Sequence, residues 1–165
     1  MLTSEVERSL VEQIGKEGFS SNLYLAMASW AESEGYPGIS AWFYAQSEEE
    51  HGHMLKIVHY VIDRGGKAII PAFEKPPVAW EGVHDVFVRV LLHEQSVSRS
   101  INDILGVCFR EGDYATSQWL QWFVSEQIEE ESSVRAILDR LKLLGDGSLY
   151  DFDKDILAMR SAGVE

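Results

Sequence analysis

Residues 65–82, GGKAIIPAFEKPPVAWEG, carry three prolines and no helical period, so they read as a long loop between two amphipathic segments. That loop decides the architecture. Flanking helices of about 27 residues would be roughly 40 Å long at 1.5 Å per residue. The roughly 17 residues between them reach about 56 Å when extended. They can therefore run the length of a helix bundle and start the third helix parallel to the second. The other links are short. EGYPG at 34–38 and EGD at 111–113 are tight breaks, with Gly112 as a C-terminal cap and Asp113 as an N-cap. LGDGS at 144–148 precedes a short amphipathic piece with Leu149, Phe152, Ile156 and Leu157. The spacing predicts helices over 3–33, 39–65, 83–111, 114–144 and 148–160. The expected fold is all-α: a four-helix bundle with one long crossover and a short fifth helix, where three short links would give a simple up-down bundle. VFVRVLL at 86–92 is strand-like alone but runs into a helical pattern through Glu94, Ile101 and Leu105.

A chain of 165 residues suits one domain spanning 1–165, long enough to bury a core without disulfides. The formal charge of -13 argues against nucleic acid and anionic membranes as partners and favours cations. The first residues, MLTSEVERSLVEQ, are acidic and do not resemble a signal or transit peptide, so cytoplasmic residence is expected. Cys108 is the single cysteine, which excludes an internal disulfide, a four-cysteine metal knuckle and a C-x-x-C redox pair; it reads as a small buried apolar residue.

Working outward from the loop, every long helix has an acid or amide inside its apolar stripe. Glu17 lies within the arc of Leu10, Ile14, Tyr24 and Ala28. Glu50, with His53 at the edge, interrupts Phe43, Met54, Ile57 and Val61; Glu94 interrupts Phe87, Val90, Leu91, Ile101 and Leu105. Gln127 and Glu130 interrupt Leu120, Phe123, Val134 and Leu138. The interruptions fall near mid-helix and are expected to converge at one level. A shift of 77 residues superimposes Glu17 on Glu94, Trp42 on Trp119, Glu49 on Glu126, Glu50 on Gln127 and His53 on Glu130, an internal helix-pair repeat. Burying one unpaired carboxylate costs several kcal/mol, and four together would repel one another. No lysine or arginine lies on these stripes near the acids. Two divalent ions would neutralise Glu17, Glu50, Glu94 and Glu130, and oxygen donors with one imidazole suit iron or manganese better than a thiolate-seeking metal; zinc stays open, though its structural sites prefer cysteine and histidine.

These residues carry a resemblance. Glu17 with Tyr24, the E-x-x-H of Glu50 and His53, Glu94, and WFVSEQIEEE at 122–131 make the chain similar to the bacterial non-haem ferritins over essentially its full length. The resemblance implies a ferritin-like bundle and an iron-storage protein with ferroxidase activity, oxidising Fe(II) with dioxygen or hydrogen peroxide in a homo-oligomeric cage of 24 subunits. It implies one iron on Glu17, Glu50 and His53, and a second on Glu94 and Glu130, with Glu50 bridging and Gln127 beside them. A third iron site is implied at Glu49, Glu126 and Glu129. Tyr24 and Trp122 stand where aromatics assist electron transfer, and a fifth helix packs at the cage's four-fold axis. Haem is not expected: the second motif reads Gln127 to Glu130, and His51 stands where the haem-bearing relatives have their methionine. His59, His84 and His93 receive no role, and that of His51 is left open. A rubrerythrin would need a cysteine-rich iron module. The alternative function is a non-catalytic cation-binding or storage shell.

Overall fold

The computed structural model describes residues 1–161. The helices are α1 (Ser4–Ser33), α2 (Pro37–Asp63), α3 (Val83–Glu111), α4 (Tyr114–Leu144) and α5 (Leu149–Ser161), and no strand occurs among the described residues. The expected helices are all found, and the largest displacement is in α2. It begins at Pro37, two residues earlier than expected, because a proline at the first helical position needs no N–H partner and its φ is already helical. It stops at Asp63, with Gly65 at φ +81°, a left-handed conformation open chiefly to glycine. Gly112 caps α3 at φ +70°, and the Asp113 side chain accepts a hydrogen bond from Thr116 N at 3.0 Å, as expected for the α3–α4 break.

Cross-helix bonds fix the directions. Ser40 Oγ donates to Ala28 O and Ser21 Oγ to Ser47 O, so α1 and α2 are antiparallel. Lys16 bonds Ser100 while Ser20 bonds His93, which sets α3 antiparallel to α1 and hence parallel to α2. The crossover runs up α1 to make this possible. Lys67 N donates to Glu7, Pro71 covers Gly15, Phe73 covers Gly18, and Trp80 meets Trp30 at a ring separation of 5.7 Å. A methyl group on Gly15 would meet Pro71 Cγ at 2.9 Å, and one on Gly18 would strike the Phe73 ring, so glycine lets the loop lie flat on the helix.

The apolar interior comes in two blocks. One joins Met27, Ala28, Phe43, Phe87, Val134 and Ile137 with Phe152 and Ile156 of α5. The other joins Leu10, Ile14, Ile57, Ile101, Leu120 and Phe123. Each long helix carries buried polar residues between the blocks: Glu17 and Ser20, Gln46 and Glu50, Glu94, Gln127 and Glu130. α5 docks across the end of α2, where Asp153 accepts from Gly38 N at 3.0 Å and Ile39 N at 2.8 Å, capping that helix from outside. Leu157, expected on the same apolar face of α5, is exposed instead.

Candidate metal centre

The middle layer gathers Glu17, Glu50, His53, Glu94, Gln127 and Glu130, all buried, with Tyr24 fully buried beside them. One donor atom each from Glu17, Glu50 and His53 lie within 4.8 Å of one another, close enough to share an ion. Glu17 Oε1 accepts from Gln13 Nε2 at 2.8 Å, and Gln13 is held by Ser100 and Lys16 in turn. Glu94 accepts a short hydrogen bond from the Tyr24 hydroxyl on one oxygen and Gln127 Nε2 at 3.0 Å on the other. Glu130 Oε2 accepts from Gln46 Nε2 at 2.9 Å. Glu50 Oε2 is buried with no hydrogen-bond partner; His53 Nδ1 lies 3.4 Å away, outside hydrogen-bond geometry.

The donors to Glu17, Glu94 and Glu130 are therefore neutral amides and a phenol, and the electrostatics show the result. Burial, then Glu17 and Glu94, pushes the Glu50 carboxyl well above its ordinary range. Burial pushes Glu130 up to about 8, with Glu94 and Glu49 adding to it. Burial also raises Glu94, while the bonds from Tyr24 and Gln127 oppose the rise. Desolvation, then Glu94, Glu50 and Glu130, holds the Tyr24 phenol protonated far above its usual range. Such a layer favours a proton or a metal cation, and the orphaned Glu50 oxygen aims at neither a lysine nor an arginine. The donor set fits a hard or borderline divalent ion. Glu94 and Glu130 share the layer but do not close with Glu50 into a three-ligand group; in this arrangement Tyr24 and Gln127 occupy both oxygens of Glu94.

A second group, Glu49, His53 and Glu126, also lies within 4.8 Å and shares His53 with the first. Glu129, the other acid expected there, is exposed and lines a cavity together with Glu49 and Glu126. Trp122 packs edge-on to His53 at 5.3 Å, with Lys56 Nζ 4.0 Å above its ring. His51, His59 and His84 are exposed, whereas His93 is mostly buried beside Tyr24 and bonded to Ser20, and desolvation lowers its pKa.

The sequence reading overlooked the supports. Gln13 and Gln46 each stand four residues before an interior acid, on the same helical face, and that spacing was legible. No lysine or arginine bonds the four inner acids directly, as the stripes led us to expect, but two basic residues approach from outside the stripes. Lys16 reaches Glu17 through Ser100 and Gln13, and Arg160 arrives from α5 to bond Glu49 and Gln46. Helical angle within one stripe could not reveal a residue more than a hundred positions away.

A parallel-and-antiparallel bundle with an interior layer of carboxylates and one imidazole defines a class of four-helix metal-carboxylate proteins. Residues 7–144 match the Ferritin family, described as a ferritin-like domain, and the chain belongs to that family. It is 36% identical over 156 residues to a bacterial non-heme ferritin of Bacteroides fragilis, covering 94% of this chain and 98% of that one. It is 37% identical over 158 residues to a bacterial non-heme ferritin of Campylobacter jejuni, covering 94% and 95%. The structure superimposes on an open pore ferritin of the archaeon Archaeoglobus fulgidus with a TM-score of 0.92 at 36% identity, covering 94% and 98%. No helix among the described residues is long and apolar enough to cross a membrane.

Proposed function

We propose that residues 1–165 act as one unit that oxidises and stores iron, with the middle layer as its ferroxidase centre and a homo-oligomeric cage of 24 copies as the store. Likeness to bacterial non-heme ferritins supports the storage role, and the layer's chemistry supports the oxidation. The observation that carries the reading is Glu50 Oε2: a buried carboxylate oxygen without a hydrogen-bond partner, among three other buried acids that neutral donors alone hold. A cation completes that arrangement.

Glu17, Glu50 and His53 would take one Fe(II), and Glu50 with Glu94 and Glu130 the other. Glu94 first turns away from Tyr24 and Gln127. Burial raises the Glu50 and Glu130 carboxyls, so Fe(II) entering the layer competes with protons there and releases those it displaces to solvent. Each Fe(II) gives up one electron; dioxygen accepts both, with two protons, and leaves as hydrogen peroxide. If peroxide is the oxidant, it accepts the two electrons with two protons, its O–O bond breaks and two waters form. Carboxylates stabilise the trivalent product more than the divalent substrate, which favours the forward step. Tyr24, kept neutral, returns its hydrogen bond to Glu94 once iron has moved on. Glu49, Glu126 and Glu129 would receive a third, weaker ion.

Oxygen uptake after adding Fe(II) at two per subunit to metal-free protein tests the reading. A rapid phase that is lost on His53→Ala and on Glu130→Ala is expected. Oxidation no faster than in buffer would leave a passive cation-binding shell, and a rapid phase surviving both substitutions would place the chemistry elsewhere.

A further inference from the structure

The cavity beside the middle layer measures about 470 Å³, and Trp42, Gln46, Glu49, Glu126, Glu130 and Arg160 line it. Five of these come from α2 and α4; Arg160 comes from the far end of α5. Its Nη2 donates to Glu49 Oε2 at 2.6 Å, and its Nη1 donates a short hydrogen bond to Gln46 Oε1. The amide of that same glutamine donates to Glu130 Oε2 at 2.9 Å. One guanidinium thus holds an acid of the outer group directly and an acid of the inner layer through one side chain. α5 is firmly seated upstream, with Phe152 and Ile156 buried and Asp153 bonded to the start of α2, so Arg160 works from an anchored helix. Arg160 and Glu49 keep side-chain exposures of 29% and 32%, so the pair can open to solvent without unfolding the bundle.

We infer that Arg160 is a positioning residue that competes with a third cation for Glu49 and, by way of Gln46, ties Glu130 to the state of that outer group. This rests on the ferroxidase reading above. A guanidinium forked between a carboxylate and an amide is a resident positive charge. A third ion held by Glu49 and Glu126 competes with it for Glu49, so the outer group binds weakly and releases readily. Detachment also releases Gln46 from the guanidinium, which loosens the hold on Glu130. Filling of the outer group is thereby felt at the already occupied inner pair, with α5 as the latch.

Titration calorimetry of assembled, metal-free protein with Fe(II) alone, without oxygen, tests this. The third Fe(II) per subunit is expected to bind about tenfold or more tightly in Arg160→Ala, as removal of a unit charge a few ångströms from a divalent ion requires. Arg160→Lys keeps the charge and is expected to bind the third ion about as weakly as the wild type. In a Glu49→Gln background, Arg160→Ala is expected to bring no gain. Unchanged third-ion affinity in Arg160→Ala, or equal tightening in Arg160→Lys, overturns the competition. In wild-type protein, amide exchange at the end of α5 is expected to quicken when the third ion binds but not with the first two; no change would likewise overturn it. If wild-type protein binds no tight pair at all, the ferroxidase reading fails and this inference with it. A tight pair with an indifferent third ion sinks this inference alone.

Discussion

Substituting Glu130→Gln tests the electrostatic cost of the metal-free layer. The Glu130 carboxyl moves from 4.5 in the unfolded chain to about 8 when folded, chiefly by burial and then by Glu94. A carboxyl with a raised folded pKa takes up a proton on folding at any pH between the two values. Stability from this group is therefore intact below about 4.5 and falls as pH rises toward 8. At about 1.4 kcal/mol for each pH unit, the loss approaches 5 kcal/mol, a large share of a typical domain's total. Glutamine keeps an oxygen to accept from Gln46 but carries no charge, so the variant loses this pH dependence. The assay is guanidinium unfolding of chelator-treated protein at pH 5, 6, 7 and 8. Wild type is expected to weaken across the series by several kcal/mol, and Glu130→Gln to weaken by distinctly less. Two divalent ions per subunit are expected to restore wild-type stability at pH 8 and leave the variant less affected. If wild-type and variant curves run parallel from pH 5 to 8, Glu130 takes up no proton on folding and the reasoning is wrong.

Gln127→Leu removes one of the two donors to Glu94, at a cost of roughly 1.5–3 kcal/mol that grows as pH rises, because burial raises this carboxyl and the Gln127 bond opposes the rise; an equal loss at pH 5 and pH 8 would mean that Gln127 acts only by packing. Gly18→Val pushes Phe73 and the crossover off α1, and the melting temperature is expected to drop by an amount equivalent to about 1–3 kcal/mol; an unchanged melting temperature would mean that the crossover does not need that glycine. Asp153→Ala uncaps α2, at a cost of about 1 kcal/mol. Faster amide exchange at Gly38 and Ile39 reports that loss, and unaltered exchange would contradict the assigned cap.

The long helices were legible because their apolar spacing is regular and their ends carry Pro37, Gly112 and Asp113. The crossover was legible too, since three prolines deny it a helix and its length suffices to run the bundle from end to end. The convergence of Glu17, Glu50, Glu94 and Glu130 followed from matched depth along helices of similar length, and the structure brings them into one layer. Hydrogen bonding within the layer did not follow. Whether Gln46 serves its own helix or crosses to Glu130 depends on how far α2 stands from α4, and sequence spacing is silent on that. Arg160 is the extreme case, because its position depends on how the last helix folds back over the first turn of α2.

The division of the apolar interior into two blocks gives the subunit two independent anchors with a replaceable cassette between them. Each anchor spans all four long helices, so neither relies on the acids for its cohesion. Ligands in the cassette can be exchanged, one metal preference for another, while the scaffold above and below keeps the helices in register. Chemistry and architecture can then drift at separate rates in the same small protein.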